Sequence, residues 1–216
     1  LFQVKKEILR MQPIIEHMLD AGVRMLSSWK PGDGKAIKNE DKQIDMLRTE
    51  IVRYLTKVAR TPLSESDSKR QVAYLFISSE LENLADVIEG NIRDRAKKLI
   101  GNNLKLSDEG LSDVRELAAL AAANFKAAMK AFDEEDPAAA REVLADVETS
   151  LELERELRHK HFKRLNAGVQ LSIETTEIHM DLLNQLHRVN RHAYQVAQAI
   201  LEMAGEQLPE GARLTL

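Results

Sequence analysis

The chain has no cysteine among its 216 residues, which excludes disulfides, thiolate metal sites and cysteine nucleophiles. It has no apolar run approaching the 18 or more residues of a membrane-spanning helix, and its first residues, LFQVKKEILRM, lack the apolar core of a signal peptide. No serine sits in a Gly-x-Ser-x-Gly elbow and no glycine-rich loop follows a strand, so neither a serine nucleophile nor a phosphate-cradling loop is indicated. There is no basic stripe, and 31 basic against 35 acidic residues leave a formal net charge of -4. That balance argues against nucleic acid as a partner. Aromatic residues are scarce at 4%.

What is present is a chain rich in alanine and leucine, 44% apolar and 31% charged, which is a helical rather than a sheet profile. Apolar periodicity and punctuation predict an all-α fold of six long helices. The first covers residues 2 to 28, with Ile8, Met11, Ile15, Met18 and Met25 on its stripe, and ends at PGDG (31 to 34). The second spans about 36 to 60, with Ile37, Ile44, Leu47, Ile51 and Leu55 inward, and stops at Pro62. After the start signal SESDS, a long third helix runs from about 67 to 103. Ser107 is the expected N-cap of a fourth helix to about 132, and Asp136 followed by Pro137 the start of a fifth that ends near Gly168. A sixth spans about 170 to 203, and GEQLPEGARLTL reads as a frayed tail.

The order repeats at a shift of about 105 residues, which predicts two consecutive three-helix bundles, 1–104 and 105–206, followed by a flexible tail, 207–216. Under that shift Leu75, Leu81, Leu84 and Ile92 fall on Met180, Leu186, Val189 and Ala197, so the apolar register is kept. The fifth helix does not align with the second at that shift without a gap.

Two acid pairs spaced by four stand out, Asp41 with Asp45 on the second helix and Glu82 with Asp86 on the third. Each pair leaves one side of its helix. With 35 acids in the chain, several such pairs arise by chance, and solvated helix faces are the ordinary explanation. Asp41 is different because it falls between Ile37 and Ile44, where the pattern calls for a hydrophobe, and a carboxylate facing a core needs a cation or a partner. Four carboxylates on neighbouring helices would suit a hard ion such as iron, magnesium, manganese or calcium; Arg48 or Arg93 could serve instead. In the second half Glu82 is replaced by His187 and Asp86 by Arg191, so a metal site is expected in the first bundle alone. Arg191 could pair with Glu152, Glu156 or Asp181. Five of the six histidines lie between His159 and His192, where His161, His179, His187 and His192 could combine with Glu174 and Asp181; structural roles are the expectation, since no helical metal spacing is matched.

LENLADVI at 81 to 88 resembles the Leu-Glu-Arg-Ile-x-Asp signature of PhoU proteins, and EDKQIDML at 40 to 47 their preceding acidic helix motif. HFKRL (161 to 165), Gly168, SIETTEIHMDLL (172 to 183) and LHRVNRH (186 to 192) resemble the PhoU-like domain of bacterial sodium/phosphate cotransporters, although Arg191 departs from that pattern. The resemblance covers about residues 1 to 204. It implies paired three-helix bundles and metal clusters in some members, and its acidic positions match Asp41, Asp45, Glu82 and Asp86. It also implies a role in phosphate uptake or its regulation, as a non-enzymatic interaction domain on the cytoplasmic side of the cell membrane. The expected partner is the membrane-embedded transporter portion of the same polypeptide, and a start at Leu1 rather than methionine reads as a processed or excised piece. Apolar helix faces could also support a homodimer. The alternatives are a free-standing PhoU-type regulator of phosphate transport and signalling, and a carboxylate-bridged metal oxidase, which would lack its usual Glu-x-x-His pairs.

Overall fold

The computed structural model describes residues 1–30 and 32–206, and the tail expected over 207–216 lies outside the described residues. The described residues are helical and contain no strand, so the fold is all-α. Helix α1 (Phe2–Met25) and α2 (Asp33–Val58) are followed by α3 (Glu65–Asp86), a π-helical segment (Val87–Ile92) and α4 (Arg93–Gly101), which together make one continuous rod. The second half holds α5 (Asp108–Glu134), α6 (Pro137–Ala145), α7 (Val147–Asn166), α8 (Gln170–Glu174) and α9 (Thr176–Ala204). The six expected helical runs are therefore present. Three carry interruptions that periodicity does not announce, at the π segment, at Asp146 and at Thr175.

Local chemistry sets the starts. Ser64 Oγ accepts from the Asp67 amide, Ser107 Oγ from the Gly110 amide, and Asp136 from the amides of Ala138 and Ala139 with Pro137 just inside the helix. The helices of the first half begin at residues 2, 33 and 65, and those of the second at 108, 137 and 170. The second helix of the repeat thus keeps its place despite the gap in apparent register, and differs by the break at Asp146.

Apolar stripes from all six runs meet in one continuous core. Besides packing within each half, α3 lies along α9 and α1 along α5. Tyr74 and Phe132 meet edge to face, ring centres 5.5 Å apart, across the two halves. Nearby, Glu80 on α3 and His192 Nδ1 on α9 form a buried contact of 2.7 Å. The core of the second half also contains a polar knot, in which the Asn124 amide donates to Asn190 Oδ1 at 3.0 Å and to the Tyr194 hydroxyl at 2.9 Å, while Ser150 and Tyr194 share a short hydrogen bond. Burial of these groups is tolerated because they satisfy one another.

Truncating the hub leaves several buried partners short of a donor. We expect Asn124→Ala to lower unfolding stability by about 2–3 kcal/mol in urea denaturation, whereas the exposed Asn83→Ala should shift it by no more than about 0.5 kcal/mol.

Candidate functional site: an acidic cluster between α2 and α3

The structure brings Asp41, Asp45, Glu82 and Asp86 into one electrostatic neighbourhood, and adds Glu89 from the π segment. Ile37 and Ile44 are fully buried, and Asp41 sits between them as the stripe requires. Its Oδ1 is shielded from solvent and has no hydrogen-bond partner. Burial first, then the charges of Asp45, Asp86 and Glu89, push the Asp41 carboxyl up to about 6 despite the opposing pull of Arg93. Glu82 and Asp86 are likewise raised, by burial and by their acidic neighbours, with Arg48 acting against the shift in both.

Two arginines border the cluster. Arg48 Nε lies 3.6 Å from Glu82 Oε2, and Arg93, itself buried, contacts Glu89 at 2.5 Å and Asp94 at 3.1 Å. Neither removes the excess negative charge. The donors are all hard oxygens and one is an orphaned buried acceptor, so the residues fit a hard cation in kind. In the side-chain positions seen, no three His, Asp or Glu residues among the described ones converge closely enough to hold a metal ion. Asp45 and Asp86 are exposed and free to swing. Sequence reasoning missed Glu89, although its place seven residues after Glu82 on the same helix face was a usable signal. It also missed the π segment that begins immediately after Asp86, a distortion that recurs at functional sites.

The second half has no equivalent excess of charge. His187 Nδ1 lies 2.9 Å from Glu154, and Arg158 binds the same carboxylate and Asn184. Although burial raises the Glu154 pKa, hydrogen bonds from His187 and Arg158 outweigh it and hold the group below the ordinary carboxylate range. Arg191 does not make the pairing expected of it: Asp181 is taken by Arg95 and Glu156 by Lys160, and the Arg191 Nε is buried without a partner.

The histidines separate as well. His161 and His179 stack with ring centres 4.5 Å apart, and Asp113, not Glu174 or Asp181, lies beside them, 3.7 Å from His179 Nε2. Arg164 holds Asp113 at 2.6 Å. His187 and His192 belong to the separate contacts with Glu154 and Glu80. Burial, then the neighbouring His161 and Arg164, lower the His179 pKa to about 3, and burial also lowers that of His161.

Two pH responses follow. Asp41 has a folded pKa of about 6, raised from the ordinary 3.8, so folding loses stability as pH rises through that interval. Asp41→Asn is expected to be more stable than the parent at pH 8 by on the order of 1 kcal/mol, allowing for solvent screening, and no more stable at pH 3. His179 has the opposite dependence: the unfolded chain takes up the proton near 6.5 and the folded chain only near 3, so stability is full above 6.5 and is lost as pH falls from there towards 3. His179→Phe should remove on the order of 3 kcal/mol of that loss, read by urea unfolding at pH 7 and 4.

The chain is 27% identical over 206 residues to the provisionally named inorganic phosphate export protein YjbB of Salmonella typhimurium, covering 95% of this chain and 38% of that protein. The Escherichia coli K12 protein of the same name is 28% identical over 201 residues, 93% of this chain and 37% of its own length. The chain thus spans well under half the length of these curated relatives. Among solved structures, PhoU from Pseudomonas aeruginosa superposes with a TM-score of 0.85 at 19% identity, covering 95% of this chain and 97% of that one. The phosphate transport system regulatory protein PhoU from Streptococcus pneumoniae gives 0.83 at 16% identity, over 96% and 97%. The sequence matches the PhoU domain over residues 8–92 and again over 114–200, so the chain belongs to the PhoU domain family.

Proposed function

We propose that the chain is a PhoU-type regulatory and interaction module of inorganic phosphate transport, not an enzyme. The observation that carries this reading is the family match in both halves, together with relatives named for phosphate export and for regulation of a phosphate transport system. Two arrangements are supported by different findings. The end-to-end superposition on PhoU structures favours a free-standing regulator. The 37–38% coverage of the longer export-protein relatives favours a module joined to a transporting portion at the cytoplasmic face of the membrane. The names of those relatives specify export, so they give the sodium-coupled uptake arrangement no direct support.

In either arrangement the acidic cluster is the proposed effector site. Asp41, Asp45, Glu82 and Asp86, with Glu89, would hold a hard divalent or iron-type cation, which when bound would supply the positive charge that this face lacks. Asp41 would contribute its unpartnered Oδ1, and the α2 and α3 carboxylates would then be tied together rather than repelling. Arg48 and Arg93 limit the excess charge at either side of the cluster.

Expressed in a bacterium from which its own gene has been deleted, the chain should change radiolabelled phosphate flux severalfold; unchanged flux with stably accumulated protein counts against the regulatory role. Rescue by the chain supplied as a separate polypeptide supports the free-standing arrangement, and rescue only when fused to the transporting portion supports the joined one. For the cation, elemental analysis after incubation with manganese, iron or magnesium and gel filtration should find bound metal in the parent. The double variant Asp41→Ala, Glu82→Ala should retain at least tenfold less. A metal-free parent protein rules the site out.

A further inference from the structure

The chain reverses three times at the end of the molecule where α1, α4 and α7 finish and α2, α5 and α8 begin. Contacts bind these turns into a single surface. The Arg115 guanidinium donates to Ser27 at 2.8 Å, Lys98 to Glu177 at 2.7 Å, and Ser107 meets Ser172 at 3.2 Å. The Trp29 ring and the Lys97 and Arg93 side chains close over Gly34.

Five large apolar side chains emerge there: Trp29 (40% exposed), Ile100 (40%), Phe162 (52%), Leu171 (43%) and Ile173 (47%). Scattered single hydrophobes on a surface mean little; this group shares one end, and that end is charged oppositely to the rest. Segments 26–38, 93–112 and 158–178 contain 12 Lys and Arg against 6 Asp and Glu, while the remainder of the chain has 19 against 29. Several of the basic side chains are neutralised within the fold, Lys98 by Glu177 and Arg164 by Asp113 among them. Lys30, Lys35, Lys105 and Lys163 are exposed and have no ion-pair partner among the described residues.

We infer that this end is a docking face for a bilayer surface carrying anionic lipid headgroups. Exposed apolar side chains near helix ends, with a tryptophan on the adjoining turn, beside unpaired lysines match what such an interface takes: shallow apolar insertion with attraction between lysine and headgroup. No helix among the described residues is long and apolar enough to cross a membrane, so the contact is peripheral. Charge favours this orientation, because the remainder of the chain carries a net negative charge that the same surface repels. The inference is independent of the regulatory reading and of the acidic cluster.

Trp29 is the single tryptophan of the chain and reports on this face directly. The 216-residue chain mixed with phosphatidylcholine vesicles containing phosphatidylglycerol should co-float with them and blue-shift its tryptophan emission, with binding that weakens as salt is raised. Vesicles of phosphatidylcholine alone should give neither signal. At about one lysine contact per 1 kcal/mol, the triple variant Lys30→Glu, Lys105→Glu, Lys163→Glu should lower vesicle partitioning by at least roughly a hundredfold, with helical circular dichroism unchanged. Leu171→Ser with Ile173→Ser should lower it severalfold, and Phe2→Ser, at the other end, should leave it unchanged. The inference is overturned by failure to bind anionic vesicles, which would leave the face to an acidic protein, by equal binding to neutral ones, or by a folded triple variant that binds like the parent.

Discussion

Everything in this molecule is arranged around the burial of α9. From His192 to Ala197 six consecutive residues are buried, more than one helix face can supply, so neighbours must cover it from several sides. α5, α6 and α7 cover it from its own half and α3 from the other. This requirement makes the core continuous across the sequence repeat, and it brings Glu80 and His192 together where both must be desolvated. A buried pair of this kind offers orientation more than net stability, since each group costs much to leave unpaired.

The order of helices was legible because it rests on local rules. Ser107, Asp136 and Pro137 announce starts by chemistry that acts within three residues. The interruptions were not, because they depend on competition between backbone and side chain. The Thr175 and Thr176 hydroxyls donate to the Leu171 and Ser172 carbonyls one turn back, at 2.6 and 2.7 Å, where α8 gives way to α9. Pattern alone does not reveal whether a mid-helix threonine will do this. Asp41 was legible as a site residue because it violated an apolar stripe, and Asp113 obeys the same logic between Gly110 and Val114. The grouping of His161 with Asp113 was not legible, since it needed the packing of α5 against α7.

The two halves solve the problem of half-buried charge in opposite ways. In the second, Glu154 is held by His187 and Arg158, and the network is neutralised from within. In the first, burial and then the nearby carboxylates, Asp45 in every case, raise the proton affinity of Asp41, Glu82 and Asp86, and an acceptor is left without a donor. One arrangement is complete; the other gains from any positive charge that arrives. Duplication of a scaffold has kept the core while separating the electrostatics.

The π segment extends this divergence beyond charge. The apolar correspondence of the repeat has the same spacing before it, Leu75 with Met180, and at its end, Ile92 with Ala197, so neither half has gained a residue. A π turn nevertheless uses more residues than an α turn and retards rotation by close to one residue's worth, about 100°. Past Ile92 burial still matches at Ala96 and Leu201, but it differs at Arg95 and Leu99, which are half-buried and buried where their counterparts Ile200 and Ala204 are buried and exposed. Equivalent sequence positions thus keep their place at Ala96 and Leu201 and lose it only toward the ends of the two rods, where α4 still has a core to face and α9 has none.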